Sequence, residues 1–448
     1  MKKSFSTLNN LNRRSLLKTT AAGAAFAAST SFAASKTFAA PALLKQGSEV
    51  TIEVWGGVPP EKGPGDLVEA FMEANPSIKV NYTRYVNDDT GNIQLDTALQ
   101  GGSNIDVFAT YGIPRLGQRI SAGATKDLTS YIEADADIKA WVDETEGLYV
   151  VDGQYHCLPT FIAPNFVFLN QGLLEAAGIE VPTEWTVDDF VAMAEELSGD
   201  MTFGAFSAPP VDRMKLGSNY YFNAEGTASN FADPAFRETV ELHKSMIDNG
   251  TSLPWDEVLS QDLRVYAQTP FLTELDAIWV SSDYSLRFIA DKEQYPHEFI
   301  TTFAPMPWPA DVEEPYNPGT IGGWLAVTES SEKADASWEF IKFWLTQGGP
   351  HMLKAGNNPS FPGTDMDAVV EGILGPDREE LFDVEAYKRV ALEPTHRLVT
   401  DTITTGAAEI QQIKQGLDDR FLLGEISIDE WQTELTTKAD EAIANAAN

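Results

Sequence analysis

The sequence predicts an α/β protein of two or three domains, on three observations. Its 448 residues are enough to bury a large core. From residue 50 onward, short apolar runs with strand alternation are separated by runs with helical spacing and by short links. The loops that follow the first strand-like runs carry glycine and aromatic residues, and in an open α/β sheet ligands bind off the carboxyl ends of the strands.

Residues 50–55 (Val-Thr-Ile-Glu-Val-Trp) alternate with strand period and run into Gly56-Gly57 and a Pro-Gly-rich loop. Asp66 is expected to cap a helix that buries Leu67, Val68, Phe71 and Met72, with Glu69 closing a capping box and Asn75-Pro76 ending it. Ile78, Val80 and Tyr82 alternate as a second strand; residues 93–99 read as a helix and 105–109 as a short buried strand that leads to Tyr111-Gly112. Trp55 and Tyr111 therefore stand at two strand ends. Residues 166–170 read as a strand, and Thr186 with Asp189 caps a helix carrying Val187, Phe190, Val191, Ala194 and Leu197 on one face, with Trp185 as a packing residue at its start. In residues 318–345 a loop holding Gly319, Gly322, Gly323 and Trp324 enters a short strand at 325–327, and Ala334, Trp338, Ile341 and Leu345 then recur at helical spacing. A Gly-Gly-Trp lip offers bare backbone beside a large aromatic face, which suits a neutral, ring-shaped ligand. It contains no nucleophile or base.

The formal net charge is −36, and six of the 31 basic residues but none of the 67 acidic ones lie in residues 1–40, which leaves 25 basic against 67 acidic in the remainder. Such a surface repels nucleic acid and anionic lipid, so neither is expected as a partner. The single cysteine, Cys157, excludes an internal disulfide framework and a cysteine-rich metal site, and reads as a small buried hydrophobe. The five histidines show no pair at ligand spacing, so no metal site is expected. Tyr220-Tyr221 has two readings, ferric-ion ligands or strand packing, and spacing assigns no histidine or carboxylate partner to the first. Residues 1–41 read as a twin-arginine export signal: Asn12-Arg13-Arg14-Ser15-Leu16-Leu17-Lys18, then an Ala-rich run, then small residues at a cleavage site. With no cysteine near that site, the expected product is a soluble periplasmic protein without a lipid anchor.

Several of these stretches carry a family resemblance. The glycine-rich strand entry followed by Trp338, Phe340 and Phe343, the small-residue turn of residues 98–108, Gly123 to Thr129, Asp152 to Pro159 and Pro182 to Thr186 resemble, in order, segments of the family-1 extracellular solute-binding proteins of ABC importers. Residues 275–286 are similar to a strand of that family that ends in an aromatic residue, here Tyr284; Phe303-Ala304-Pro305-Met306-Pro307 resembles its return crossing, and residues 356–362 a later loop.

The resemblance implies a periplasmic-binding-protein-like fold, two α/β lobes joined by a hinge with the ligand cleft between them. It implies an N-terminal lobe of residues 42–161 plus 304–346, a C-terminal lobe of 162–303 plus 347–448, and crossings near 159–164, 301–305 and about Gln347. It also implies a binding protein and not an enzyme, a monomer without cofactor, whose partners are a carbohydrate and the membrane permease of an ABC transporter. Trp55, Tyr111, Trp255, Tyr284 and Trp324 would supply flat faces for a sugar. Gly56, Gly57 and Gly323 would supply close backbone, and Tyr221, Asp283, Asn357 and Asn358 polar contacts. Polyamine, organic phosphate and iron remain as other solutes for the same fold, with Arg115 and Arg119 the clustered candidates for a phosphate. A secreted glycan-cleaving enzyme is the reading from another class, and carboxylate pairs in so acidic a chain carry no weight for it.

Overall fold

The computed structural model describes residues 49–447 apart from 146, 265 and 393–396; the expected export signal lies outside the described residues. Strands β1 (Val50–Gly56), β2 (Ile78–Arg84) and β3 (Val107–Thr110) are linked by helices α1 (Pro64–Ala74) and α2 (Asp89–Gln100), and α3 (Ile113–Ser121) follows β3. A hairpin, β4 (Val150–Val151) and β5 (Gln154–Tyr155), precedes β6 (Phe161–Ala163), β7 (Asn165–Asn170), β8 (Phe203–Ala205), β9 (Asp276–Ser282) and β10 (Thr301–Ala304). β11 (Thr320–Gly322), β12 (Trp324–Val327) and β13 (Asn358–Pro359) complete the set.

Two four-stranded sheets result. The first has the order β12-β3-β1-β2, parallel except for β12, and the second β10-β7-β9-β8, antiparallel except for β8 with β9. Strands β3, β7, β9, β10 and β12 are buried almost throughout and read as continuous apolar runs, whereas β1 and β2 alternate. Period-2 alternation divides the residues: Val107, Ala109, Leu325 and Val327 enter one core of the first sheet, and Phe108, Trp324 and Ala326 the other. In the second sheet Phe166, Phe168 and Phe303 lie on one side and Val167, Leu169 and Ala304 on the other.

Of three local expectations, the first is revised and the other two hold. Helix α1 begins at Pro64 with Gly63 at the N-cap and no side-chain cap, so Asp66 lies inside the first turn and forms no capping box; proline at N1 presets φ and lacks an N–H that would have no intrahelical partner. In α2 the inward positions are Gly91, Asn92 and Leu95, while Ile93 is 60% exposed. The Thr186–Asp189 capping box is present, and Trp185 is buried with its Nε1–H donating to Pro305 O at 2.8 Å.

A third sheet, β11-β6-β13, is made of the segments by which the chain passes between the other two. The first passage lies within the expected 159–164. The other two do not: β10, expected at a crossing, is instead paired with β7 inside the second sheet, and the chain returns at Thr320–Gly322 and leaves again at Asn358–Pro359. Glycines make this sheet possible. A Cβ on Gly322 would stand 2.6 Å from the Phe161 ring, one on Gly319 would enter the backbone of residues 163–165, and Gly323, at φ +66°, faces Thr160 and Phe161. Gly323→Ala is therefore expected to destabilise by about 1–3 kcal/mol. Gly102→Ala, with φ +68° and open space around it, should cost only the conformational part, about 1 kcal/mol. Equal thermal midpoints for the two variants would refute the packing role.

Candidate functional site at the switch point of the first sheet

The order of the first sheet places a topological switch point at its centre. From β1 the chain moves to β2 on one side and then, through α2, to β3 on the other, so a crevice forms outside the carboxyl ends of β1 and β3. The residues there are Gly57 and Tyr111. Tyr111 Oη accepts the Gly57 N–H at 2.9 Å, and its ring stands 2.7 Å from where a Gly57 Cβ would fall, with the Asn87 Cβ 3.2 Å from the same point. Burial pushes the Tyr111 phenol up to about 12, so the hydroxyl stays neutral and keeps a proton to donate. Gly56 is bare for a different partner: Tyr82 fills its Cβ position, and the Tyr82 hydroxyl donates to Val58 O at 2.8 Å.

A cleft of about 530 Å³ opens from Tyr111. One wall is the loop of residues 87–89 with Asn92 and Arg115; the other is the helix Ala407–Leu422, which presents Gln411, Gln412 and Gln415. That helix is fastened to elements that pack with the second sheet's side of the molecule. Asp419 Oδ1 accepts from Trp255 Nε1 at 2.9 Å and from Arg264 Nη1 at 2.8 Å, and Asp418 accepts from Trp431 Nε1 at 2.9 Å. The cleft is thus walled by residues from both halves of the chain.

The first wall is held by an ordered polar network. Asp88 caps α2, accepting the Gly91 N–H at 2.7 Å, and Gly91 is needed because a Cβ there would collide with the Val86 carbonyl. Asp89 is paired with Arg115 at 2.6 Å. Arg119 is 4% exposed and donates to Asp96 at 2.7 Å, to Thr110 Oγ1 at 2.7 Å and to Asn92 Oδ1 at 2.9 Å. Both arginines considered for a phosphate are engaged with carboxylates, and Arg119 is buried.

The other sequence candidates are dispersed. Of the twelve, Tyr111 lines the cleft, with Gly57 directly behind it. Trp55 is half-buried against the core that also holds Trp324. Trp324 is 1% exposed in that core and presents no face to solvent, because strand alternation turns it toward Phe108 and not outward. Gly323 backs onto Thr160, which covers the bare backbone expected for a ligand. Trp255 is buried and tied to Asp419. Tyr221 stacks against Tyr220 with centroids 4.3 Å apart and lies 5.0 Å from Phe231; burial raises both phenols, the reverse of what phenolate ligation requires. Among the described residues no group of three or more His, Cys, Asp or Glu is placed to hold a metal ion. Cys157 is buried. At the end of β9, Asp283 is buried and accepts from Tyr387 Oη at 2.8 Å, Tyr284 is 51% exposed, and Gly356 sits against the Asp283 carbonyl, bringing half-buried Asn357 near. Asn358 belongs to β13, paired with Ile162.

Sequence reasoning missed Asn87, Asn92 and the three glutamines. Their signal was weak but present: Gln411, Gln412 and Gln415 recur on one exposed face of a helix whose other side buries Ile410, Leu417 and Phe421.

A family profile described as bacterial extracellular solute-binding protein matches residues 61–349. The chain belongs to that family. This solute-binding protein is 27% identical over 202 residues to a putative binding protein of Brucella abortus, an alignment covering 42% of this chain and 47% of the relative, so it spans about half the length of the curated relatives it matches. Its fold matches that of a sugar transporter protein of Rhizobium etli solved in an open conformation, with a TM-score of 0.70 at 19% identity, covering 88% of this chain and 99% of the other. It also matches the sugar-binding protein MalE of Xanthomonas citri, with a TM-score of 0.70 at 19% identity, covering 89% and 98%. The solute-binding protein therefore has the two-lobed α/β architecture of these relatives, and β6, β11 and β13 are its connecting strands. No helix among the described residues is long and apolar enough to cross a membrane.

Proposed function

We propose that the protein captures a carbohydrate, a mono- or oligosaccharide, in the cleft at Tyr111, closes about the β11-β6-β13 hinge, and delivers the ligand to the permease of an ABC importer. In this reading it works as a monomer in the periplasm and turns nothing over. The observation that carries the reading is the switch-point pair Gly57 and Tyr111 opening into a cleft that has amides on both walls, beside Asp88, Asp89 and Arg115 on the first. Tyr111 supplies one aromatic face, and the amides of Asn87, Gln411, Gln412 and Gln415 supply donors and acceptors for hydroxyls. The structural relatives, described as a sugar transporter protein and a sugar-binding protein, point the same way. Tyr284 and Asn357 are the second lobe's candidate contacts. A phosphate would meet arginines already neutralised by Asp89 and Asp96, and iron would meet tyrosines packed in an apolar cluster.

The test is thermal unfolding of the purified protein against mono- and oligosaccharides, polyamines and glycerol phosphates. A ligand at a hundred times its dissociation constant adds about 2.7 kcal/mol, a rise in midpoint on the order of a few degrees. Tyr111→Ala is expected to abolish the saccharide shift, with affinity down at least about 30-fold from loss of the ring and hydroxyl together. A shift with a charged solute and none with any sugar would end the carbohydrate reading.

A further inference from the structure

We propose that Arg119 is a positioning residue that sets the hydrogen-bond polarity of the cleft, forcing Asn87 to present its amide N–H pair to the ligand. This rests on the solute-binding reading above and specifies which part of the solute meets the first wall. Arg119 has only donors. Its Nη2 lies 2.9 Å from one end of the Asn92 amide, so that end is the oxygen. The other end is the NH2 group, and it donates to Asn87 at 3.1 Å and to the Asp88 carbonyl at 2.8 Å. A carbonyl only accepts, which fixes the same orientation a second time. Asn87 must then turn Oδ1 toward Asn92, leaving its N–H pair for the cleft that it lines.

Arg119 is itself held by Asp96 and Thr110, so the relay has a rigid origin. Tyr111 strengthens the pattern: its oxygen accepts from Gly57, and its own O–H remains to donate. The carboxylates of the same wall each have one partner, Asp88 as the cap of α2 and Asp89 with Arg115, and keep further acceptor capacity of their own. The two N–H donors of Asn87 therefore face the ligand from this side, and they match ring, glycosidic or hydroxyl oxygens. They oppose an ammonium group, which has no lone pair. Gln411, Gln412 and Gln415 on the facing helix are exposed amides that can exchange ends by rotation; Asn87 is exposed as well, but its oxygen is tied to Asn92, so fixed discrimination resides in the Arg119 relay.

The test measures calorimetric binding of neutral mono- to tetrasaccharides and their 2-amino counterparts to wild type, Asn87→Asp and Asn87→Ala, each with and without Arg119→Lys. Asn87→Asp keeps an acceptor toward Asn92 and replaces the N–H pair with a carboxylate oxygen. Neutral saccharide should bind about 10-fold more weakly or worse, and the amino-to-neutral affinity ratio should rise at least about 10-fold. Arg119→Lys should weaken binding by about 3–10-fold in wild type and have no further effect in the Asn87→Ala background, because its influence passes through that amide. An unmoved ratio in Asn87→Asp, or an equal loss from Arg119→Lys in both backgrounds, overturns the proposal. If Arg119→Lys fails to fold, the Asn87→Asp ratio decides alone. If wild type binds no saccharide, the functional reading falls and the proposal with it; saccharide binding with an unmoved ratio removes only the polarity assignment.

Discussion

Replacing Trp324 with alanine is expected to destabilise the protein by about 3–5 kcal/mol, the usual loss for a large aromatic removed from a packed interior. Trp324 is 1% exposed, heads β12 opposite Thr110, and meets the edge of Tyr149 at 6.4 Å. No side chain nearby is free to fill the space, since Phe108, Leu116 and Cys157 share the same close-packed cluster. The indole Nε1 is buried without a hydrogen-bond partner among the described residues, which gives the experiment a second arm. Trp324→Phe removes an unsatisfied donor together with part of the ring, so its loss should be well below that of alanine. Denaturant midpoints of the two variants, read beside saccharide binding, separate the roles. A core residue gives a large stability loss for alanine and intact binding for phenylalanine. Lost binding with little change in midpoint would show that the indole faces the ligand.

That residue also shows what a linear reading can and cannot reach. The strands were legible because residues 50–55 alternate with strand period and buried apolar runs stand out at 105–109 and 166–170. The Thr186–Asp189 capping box was legible because both partners lie within one turn. What depends on distant pairing was not. Gly322 and Gly323 correctly signal bare backbone, and the group packed against it is Phe161, about 160 positions earlier. The return crossing is a three-residue strand whose partners are β6 and β13, and no local pattern distinguishes it from a loop. The same holds for the cleft. Gln411, Gln412 and Gln415 look like any solvated helix face until the fold sets them opposite Tyr111. The switch point itself could be anticipated, because Trp55-Gly56-Gly57 and Tyr111 end the two strands that flank it.

The second large effect is on pH dependence, and it arises from Asp283. Its carboxyl is 1% exposed, one oxygen accepts from Tyr387, the other has no partner, and burial raises its pKa to about 7. In the unfolded chain an aspartate titrates near 3.9. The folded value lies above the unfolded one, so the native state retains a proton that the unfolded chain has released. The contribution to stability is complete below about pH 4 and is lost as pH rises through about 7, on the order of a few kcal/mol. Asp283→Asn keeps the acceptor for Tyr387 and cannot ionise. The stability difference between variant and wild type should therefore be small at pH 4, grow in the variant's favour through neutrality, and level off above pH 8. His243, whose pKa burial lowers to about 4, acts in the opposite sense, destabilising the fold as pH falls below 6.5, but it is common to both proteins and cancels in the difference. Asp283 directly follows β9, its carboxyl against Tyr387 and its backbone carbonyl beside Gly356, so the titration is read at the edge of the second sheet's core. Denaturant titrations of both proteins from pH 4 to 9 measure the difference directly. A difference that stays constant across that range would show that Asp283 is already ionised in the folded protein.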